Sequence, residues 1–166
     1  MSTSQPTSSS PPAVGSPAPD FDLVADDGTH VRLADLRGKP VVLFFYPKDN
    51  TPGCTSEACE FRDRDAPLRA KGAVVLGVSP DSTASHVRFR SNFDLPFRLL
   101  SDPDHTAMSA YGVWGEKVLY GRHFLGVIRS TFLIDAQGRI AAVWPKVKVA
   151  GHADSVLSAL LDLPAH

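Results

Sequence analysis

VVLFFYPKDNTPGCTSEAC occupies residues 41–59. Its first six residues are apolar without interruption and are bounded by Pro40 and Pro47. A run this short, rich in β-branched and aromatic side chains, predicts a strand buried on both faces. From Pro52 onward the pattern becomes helical, with Thr51 at the capping position and proline at the first helical position. A buried strand feeding a helix begins a βαβ unit, and open α/β sheets place their ligands at that carboxyl edge. Both cysteines of the chain, Cys54 and Cys59, fall there.

Outward from this stretch, residues 73–78 and 130–134 repeat the continuous apolar pattern. Three buried strands predict one central sheet. The segments between them, from Pro52 to about Lys71, over residues 84–93 and over residues 106–111, are helical in composition. Pro67 removes a backbone donor and biases Ala66 away from the α region, so the first helix is expected to break or kink between Arg64 and Pro67. Residues 21–24 and 30–33 flank a polar turn containing Gly28 and predict a β-hairpin at the start of the domain. Residues 140–149 follow a turn at Asp135–Gly138 and predict a hairpin partner, which makes the sheet mixed. A closing helix over residues 153–161 carries Val156, Leu157, Leu160 and Leu161 on one apolar stripe, read as plain core. The expected class is α/β, with helices flanking a mixed sheet.

The chain has 166 residues, 17 Lys plus Arg and 18 Asp plus Glu, for a net charge of −1. That length suits one domain, and the balance lacks the basic excess of a nucleic-acid binder or a polybasic membrane anchor. The longest apolar run is far short of the roughly 20 residues that span a bilayer. Residues 1–19 carry no charged side chain and are dominated by Ser, Thr and Pro. We expect a disordered tail over residues 1–16 and a single domain over 17–166. The tail has neither the positive start and apolar core of a secretory signal nor the arginines of a transit peptide, so a cytoplasmic location is expected. In a reducing compartment two cysteines are read as catalytic, metal-bound or buried rather than as a permanent disulfide.

Cys54 falls in the first helical turn, where free N–H groups and the positive helix end favour an anion, so the position favours the nucleophilic thiolate. In an intact helix the Cα atoms of an i, i+5 pair stand roughly 8 to 9 Å apart. A disulfide needs less than about 7 Å. Cys54 and Cys59 can therefore join only if the helix locally unwinds, which favours a transient bond with Cys54 attacking and Cys59 resolving. A zinc site has little support, because the histidines at 30, 86, 105, 123, 152 and 166 are scattered. The C-x-x-C of a thioredoxin-type dithiol is absent. On spacing alone, two inert buried thiols remain open beside the reactive pair.

YPKDNTPGCTSEACEFRD, residues 46–63, resembles the active-site segment of peroxiredoxins, including their P-x3-T-x2-C signature. The second cysteine five residues on makes it similar to the bacterioferritin comigratory protein, or peroxiredoxin Q, group. The likeness runs over residues 16–163, through VSPDS at 78–82, LSDPD at 100–104, YGVWGEK at 111–117 and RSTFLID at 129–135. The resemblance implies a thioredoxin-like fold and a peroxidase that needs no metal, haem or flavin. It implies Cys54 as the peroxidatic and Cys59 as the resolving cysteine, with Thr51 and Arg129 completing the site and Pro47 shielding it. It also implies a peroxide substrate, hydrogen peroxide or an organic hydroperoxide, and thioredoxin or glutaredoxin as reductant. A monomer is expected, because no long exposed apolar patch is evident in the sequence. Lys48 and Asp49 are read as solvated loop residues, and Glu57, one turn from Cys54, as a candidate partner of Arg129. Two competing functions are a redox sensor that signals by helix unwinding and a non-catalytic thioredoxin-fold binding module.

Overall fold

A computed structural model describes residues 11–163. The expected buried strand is β3 (Val41–Phe45), an interior strand of a seven-stranded sheet, and every one of its residues is buried. Alternation along it explains why: Val41, Leu43 and Phe45 enter the apolar layer on one face, Val42, Phe44 and Tyr46 the layer on the other. On one side β3 pairs in parallel with β4 (Val74–Ser79), and on the other antiparallel with β8 (Ser130–Ile134). The N-terminal hairpin is β1 (Asp22–Ala25) and β2 (His30–Arg32), turning through Gly28. Strand β9 (Ile140–Trp144) closes the far edge, so the sheet is mixed as expected, in the order β2-β1-β5-β4-β3-β8-β9. β9 stops at Trp144 rather than at residue 149, because Pro145 has no N–H to continue the ladder.

The fourth central strand, β5 (Arg98–Ser101), lies parallel to β4 and antiparallel to β1. The strand leaves no mark in the sequence, because four residues just beyond Pro96 are too few to show a period. A two-stranded hairpin outside the main sheet, β6 (Trp114–Leu119) and β7 (Arg122–Val127), is likewise unmarked; it turns through Tyr120 and Gly121, both at positive φ. That hairpin exposes Val118, Tyr120, Phe124 and Leu125. They do not share one face: the register puts Val118 and Leu125 on one side of the hairpin and Phe124 on the other.

Helix α1 (Pro52–Asp63) ends at Arg64, where φ is −107° and ψ is 8°, and α2 (Asp65–Ala70) begins at once. The break is where Pro67 predicts it. Helical structure nevertheless resumes, because Pro67 falls in the first turn of α2, where its missing N–H has no partner to lose. Helix α3 (Thr83–Phe93), α4 (Thr106–Ala110) and α5 (His152–Leu161) complete the fold. Phe61 of α1, Leu68 of α2, Phe89 of α3 and Val156 and Leu160 of α5 share one apolar layer with Phe44; Met108 and Tyr111 lie in the other with Phe45. Of the tail expected over residues 1–16, residues 1–10 lie outside the described residues. The Gly15 and Ala18 N–H groups donate to Ile140 and Gly138, and Pro17 bridges Arg139, so the chain already lies against the sheet edge by Gly15.

Gly77, in β4, shows how tightly the helical side is filled. A Cβ there would lie 2.8 Å from Phe44 and 3.0 Å from Leu99, side chains with no solvent to move into. We expect Gly77→Ala to destabilise the protein by about 1 to 3 kcal/mol, read as a lower urea midpoint with unchanged slope.

Candidate active site

β3 ends at Phe45, and the chain crosses the sheet edge through Tyr46, Pro47, Lys48, Asp49 and Asn50 before α1 begins. Thr51 takes the extended N-cap conformation, with φ −94° and ψ 155°. Its side chain does not cap the helix. Thr51 Oγ1 instead donates to the Lys48 carbonyl at 2.8 Å, closing the loop on itself. That arrangement spends the hydroxyl proton on the protein and leaves the oxygen lone pairs for an incoming donor. Pro52, Gly53 and Cys54 form the first turn, as the capping pattern predicts, and the Cys54 side chain is 2% exposed.

Arg129 reaches this turn from the strand next to β3. It sits one residue before β8, and because Ser130 pairs with Phe45, the register delivers it to the end of β3 where α1 starts. Its Nη2 donates to Cys54 Sγ at 3.2 Å and its Nη1 to Glu57 Oε1 at 2.6 Å. Gly53 permits the approach: a Cβ there would stand 3.2 Å from Nη2. Glu57 is 1% exposed, and its second oxygen, Oε2, has no hydrogen-bond partner among the described residues. The two members of the pair respond differently. Burial works against the Arg129 charge, but Glu57 and Cys54 together hold the guanidinium above its ordinary pKa, so it remains a cation. For Glu57, burial outweighs the pull of Arg129 and raises the carboxyl from 4.5 to about 7. The carboxyl is the member that yields.

Both cysteines are free thiols on one unbroken helix, Cys54 buried and Cys59 half-buried. At i, i+5 their Cα atoms stand roughly 8 to 9 Å apart, beyond disulfide reach. Pro47 lies half-buried between Tyr46 and Lys48. Among the described residues no three or more His, Cys, Asp or Glu side chains gather to hold a metal ion.

Three polar residues near the site, Asp49, His86 and His152, are buried, which the sequence does not announce. Asp49 is not a solvated loop residue, as was expected, but a buried one; its carboxylate accepts from Tyr46 and Ser85 and contacts His86. His152 lies against Phe61 and Trp144 with Nε2 2.7 Å from Thr131 Oγ1, and burial together with nearby Arg129 lowers its imidazole to about 4. Each residue looks like an ordinary surface polar group in the sequence, because its partners include groups far along the chain: Ser85 and His86 for Asp49, Leu100 for His86 and Thr131 for His152.

The titration of Glu57 has a measurable sign. Its pKa is higher folded than unfolded, so its contribution to stability is fully present below pH 4.5 and is lost as pH rises through about 7. The stability difference between the wild type and Glu57→Gln is expected to fall by up to about 3 kcal/mol across that window. His152 contributes the opposite slope between 6.5 and about 4, but it is common to both proteins and cancels in the difference. Urea midpoints measured from pH 4 to 8 check this, and a flat difference would mean that burial leaves the Glu57 carboxyl at its ordinary pKa.

A thioredoxin-like sheet with a buried cysteine in the first turn of a helix, an arginine on its sulfur and a second cysteine on the same helix defines a thiol-based redox protein. A model of the AhpC/TSA family matches residues 14–143. Peroxiredoxin Bcp of Bacillus subtilis is 47% identical over 150 residues, 90% of this chain and 96% of that protein. Peroxiredoxin Bcp of Escherichia coli is 44% identical over 152 residues, 92% and 97% of the two. A solved structure of the bacterioferritin comigratory protein of Xanthomonas campestris superimposes with a TM-score of 0.82 at 43% identity, covering 85% of this chain and 90% of that one. A cysteine-to-serine mutant of Xylella fastidiosa PrxQ gives 0.85 at 38% identity, covering 90% and 95%. The chain belongs to the AhpC/TSA family, in its peroxiredoxin Bcp, or peroxiredoxin Q, group.

Proposed function

We propose that this thiol-dependent peroxidase works through Cys54 and Cys59 as an intramolecular pair, with Thr51, Arg129 and Pro47 shaping the site. The Cys54 thiolate attacks the outer oxygen of a hydroperoxide ROOH: the S–O bond forms, the O–O bond breaks, Cys54 becomes a sulfenic acid, and RO⁻ leaves to take up a proton as ROH. Charge moves from sulfur to the leaving oxygen, so donors fixed around both oxygens favour the transition state. Arg129 Nη2, at 3.2 Å from Sγ, supports that role most directly. The Thr51 lone pairs can accept from the peroxide O–H and so fix its orientation, and Pro47 at the sheet edge limits water access. α1 then unwinds, Cys59 condenses with the sulfenic acid, a disulfide forms and water leaves. A dithiol protein, thioredoxin or glutaredoxin, reduces the bond by exchange.

Hydrogen peroxide and organic hydroperoxides both fit this chemistry. The Xanthomonas campestris relative is described by its alkyl peroxide reduction activity, which supports the second class. A monomer suffices, since both sulfurs lie on one helix of one chain, and residues 17–166 would act as a single domain. No helix among the described residues is long and apolar enough to cross a membrane, and we place the protein in the cytoplasm. The observation that carries this reading is the buried Cys54 sulfur under the Arg129 guanidinium. Stopped-flow mixing with hydrogen peroxide and with an alkyl hydroperoxide, followed by peptide mapping, tests it. The expected result is thiol loss many times faster than for free cysteine and a Cys54–Cys59 disulfide; a rate equal to that of free cysteine defeats the reading.

A further inference from the structure

The loop between β3 and α1 rests on a buried polar cluster to which the catalytic cycle assigns no task. Asp49 is 5% exposed; its Oδ1 accepts from the Tyr46 hydroxyl at 2.6 Å, and its Oδ2 accepts from the Ser85 hydroxyl at 2.8 Å and lies 2.7 Å from His86 Nδ1. The Asp49 N–H donates to Asp81 Oδ2 at 2.7 Å, and Ser79 donates to the same oxygen. His86 is fully buried, with Nε2 3.0 Å from the Leu100 carbonyl oxygen. A carbonyl only accepts, so Nε2 must carry a hydrogen. One further proton then lies in the contact between Nδ1 and Oδ2, on one atom or the other. Either way the pair is neutral as a unit, and each polar atom of both side chains has a partner. Burial, with Asp49 beside it, pushes the Tyr46 phenol well above its ordinary pKa, so it remains a donor.

We propose that Asp49 and His86 are positioning residues for peroxide reduction: anchored by α3 and β5, they hold the loop so that Thr51 and the first turn of α1 meet the peroxide correctly. The backbone transmits the constraint. Asn50, between the clamped Asp49 and Thr51, is left-handed at φ 60°, a turn conformation that asparagine adopts readily, so a single tight turn links the anchored Asp49 to Thr51. Thr51 Oγ1 is in turn aimed by its bond to the Lys48 carbonyl on the other side of Asp49. Release of the Asp49 side chain frees the turn at Asn50 and swings Thr51, while Arg129, which arrives from β8, keeps its contact with Cys54.

The inference rests on the peroxidase reading, and its test separates the two. In the full chain, Cys54 oxidation by hydrogen peroxide is compared with Cys54 alkylation by iodoacetamide, which needs the thiolate but no oriented O–O bond. Asp49→Ala and His86→Gln are expected to slow peroxide oxidation by about 100-fold while changing alkylation by less than about threefold, because a misplacement of about 1 Å costs that much in an oriented reaction. Asp49→Asn should recover most of the peroxide rate, since its amide can accept from Tyr46 and donate to a neutral His86. Equal slowing of both reactions, or no slowing in folded variants, overturns the proposal. If the first two variants fail to fold, Ser85→Ala decides: it removes one hydrogen bond to Oδ2 and is expected to cost about tenfold in the peroxide rate alone, and an unchanged rate overturns the proposal. A wild type no faster than free cysteine defeats the peroxidase reading itself; a fast wild type with unaltered variants defeats only the clamp.

Discussion

Cys54→Ser is expected to lower peroxide turnover by at least about 10⁴-fold, since removing a nucleophile removes the reaction path rather than one contact within it. Cys59→Ser should behave quite differently. Its first turnover with peroxide should run at close to the wild-type rate, because Cys59 is half-buried about 8 to 9 Å from Cys54 and takes no part until α1 unwinds. Steady-state cycling with thioredoxin should then stop, and excess peroxide should drive Cys54 to the sulfinic acid, for want of a thiol to condense with the sulfenic acid. Single-turnover stopped flow, a coupled thioredoxin assay and intact-mass measurement separate the two variants. Unchanged cycling by Cys59→Ser would sink the intramolecular disulfide.

Arg129→Ala carries the second large effect, and it has two parts. The loss of the guanidinium from Cys54 Sγ removes a fixed donor from the reacting atoms, which costs about 10² to 10³ in the rate of peroxide oxidation. It also strands Glu57, whose Oε2 lacks a partner among the described residues and whose Oε1 would lose Arg129. A charge so buried and unpaired costs about 3 to 5 kcal/mol, so the carboxyl is expected to take a proton instead, and the loss of stability should grow with pH. Arg129→Lys should not restore the rate, because one ammonium cannot reach both Cys54 and Glu57 as the two guanidinium nitrogens do. Stopped-flow rates and urea midpoints at pH 6 and pH 8 check the two parts separately. A rate within about threefold of wild type would remove Arg129 from the mechanism.

Much of the fold was legible because its signals are local. Residues 41–46 announce a doubly buried strand by their unbroken apolar character, Thr51 and Pro52 mark a helix start, and Pro67 marks the break at Arg64. Strand β5 and the β6–β7 hairpin were not legible, being too short or too exposed to leave a periodic trace. The site divides along the same line. Cys54, Cys59 and Thr51 could be placed from a single segment, whereas Asp49 was misread as solvated because Ser85 and His86, which close over it, come from α3, more than 30 residues away.

Order along the chain, then, suffices to put Cys54 in a first helical turn and Cys59 five residues beyond it, since helix geometry depends only on neighbours within a turn or two. The Arg129 contact with Cys54 and Glu57 spans more than 70 residues and depends on β8 pairing with β3 so that Ser130 faces Phe45. The Asp49–His86 pair likewise exists only once α3 lies over the loop after β3. Hydrogen bonds and charges act over a few ångströms of space whatever the separation in sequence, so the folded sheet had to assemble what a local pattern could not predict.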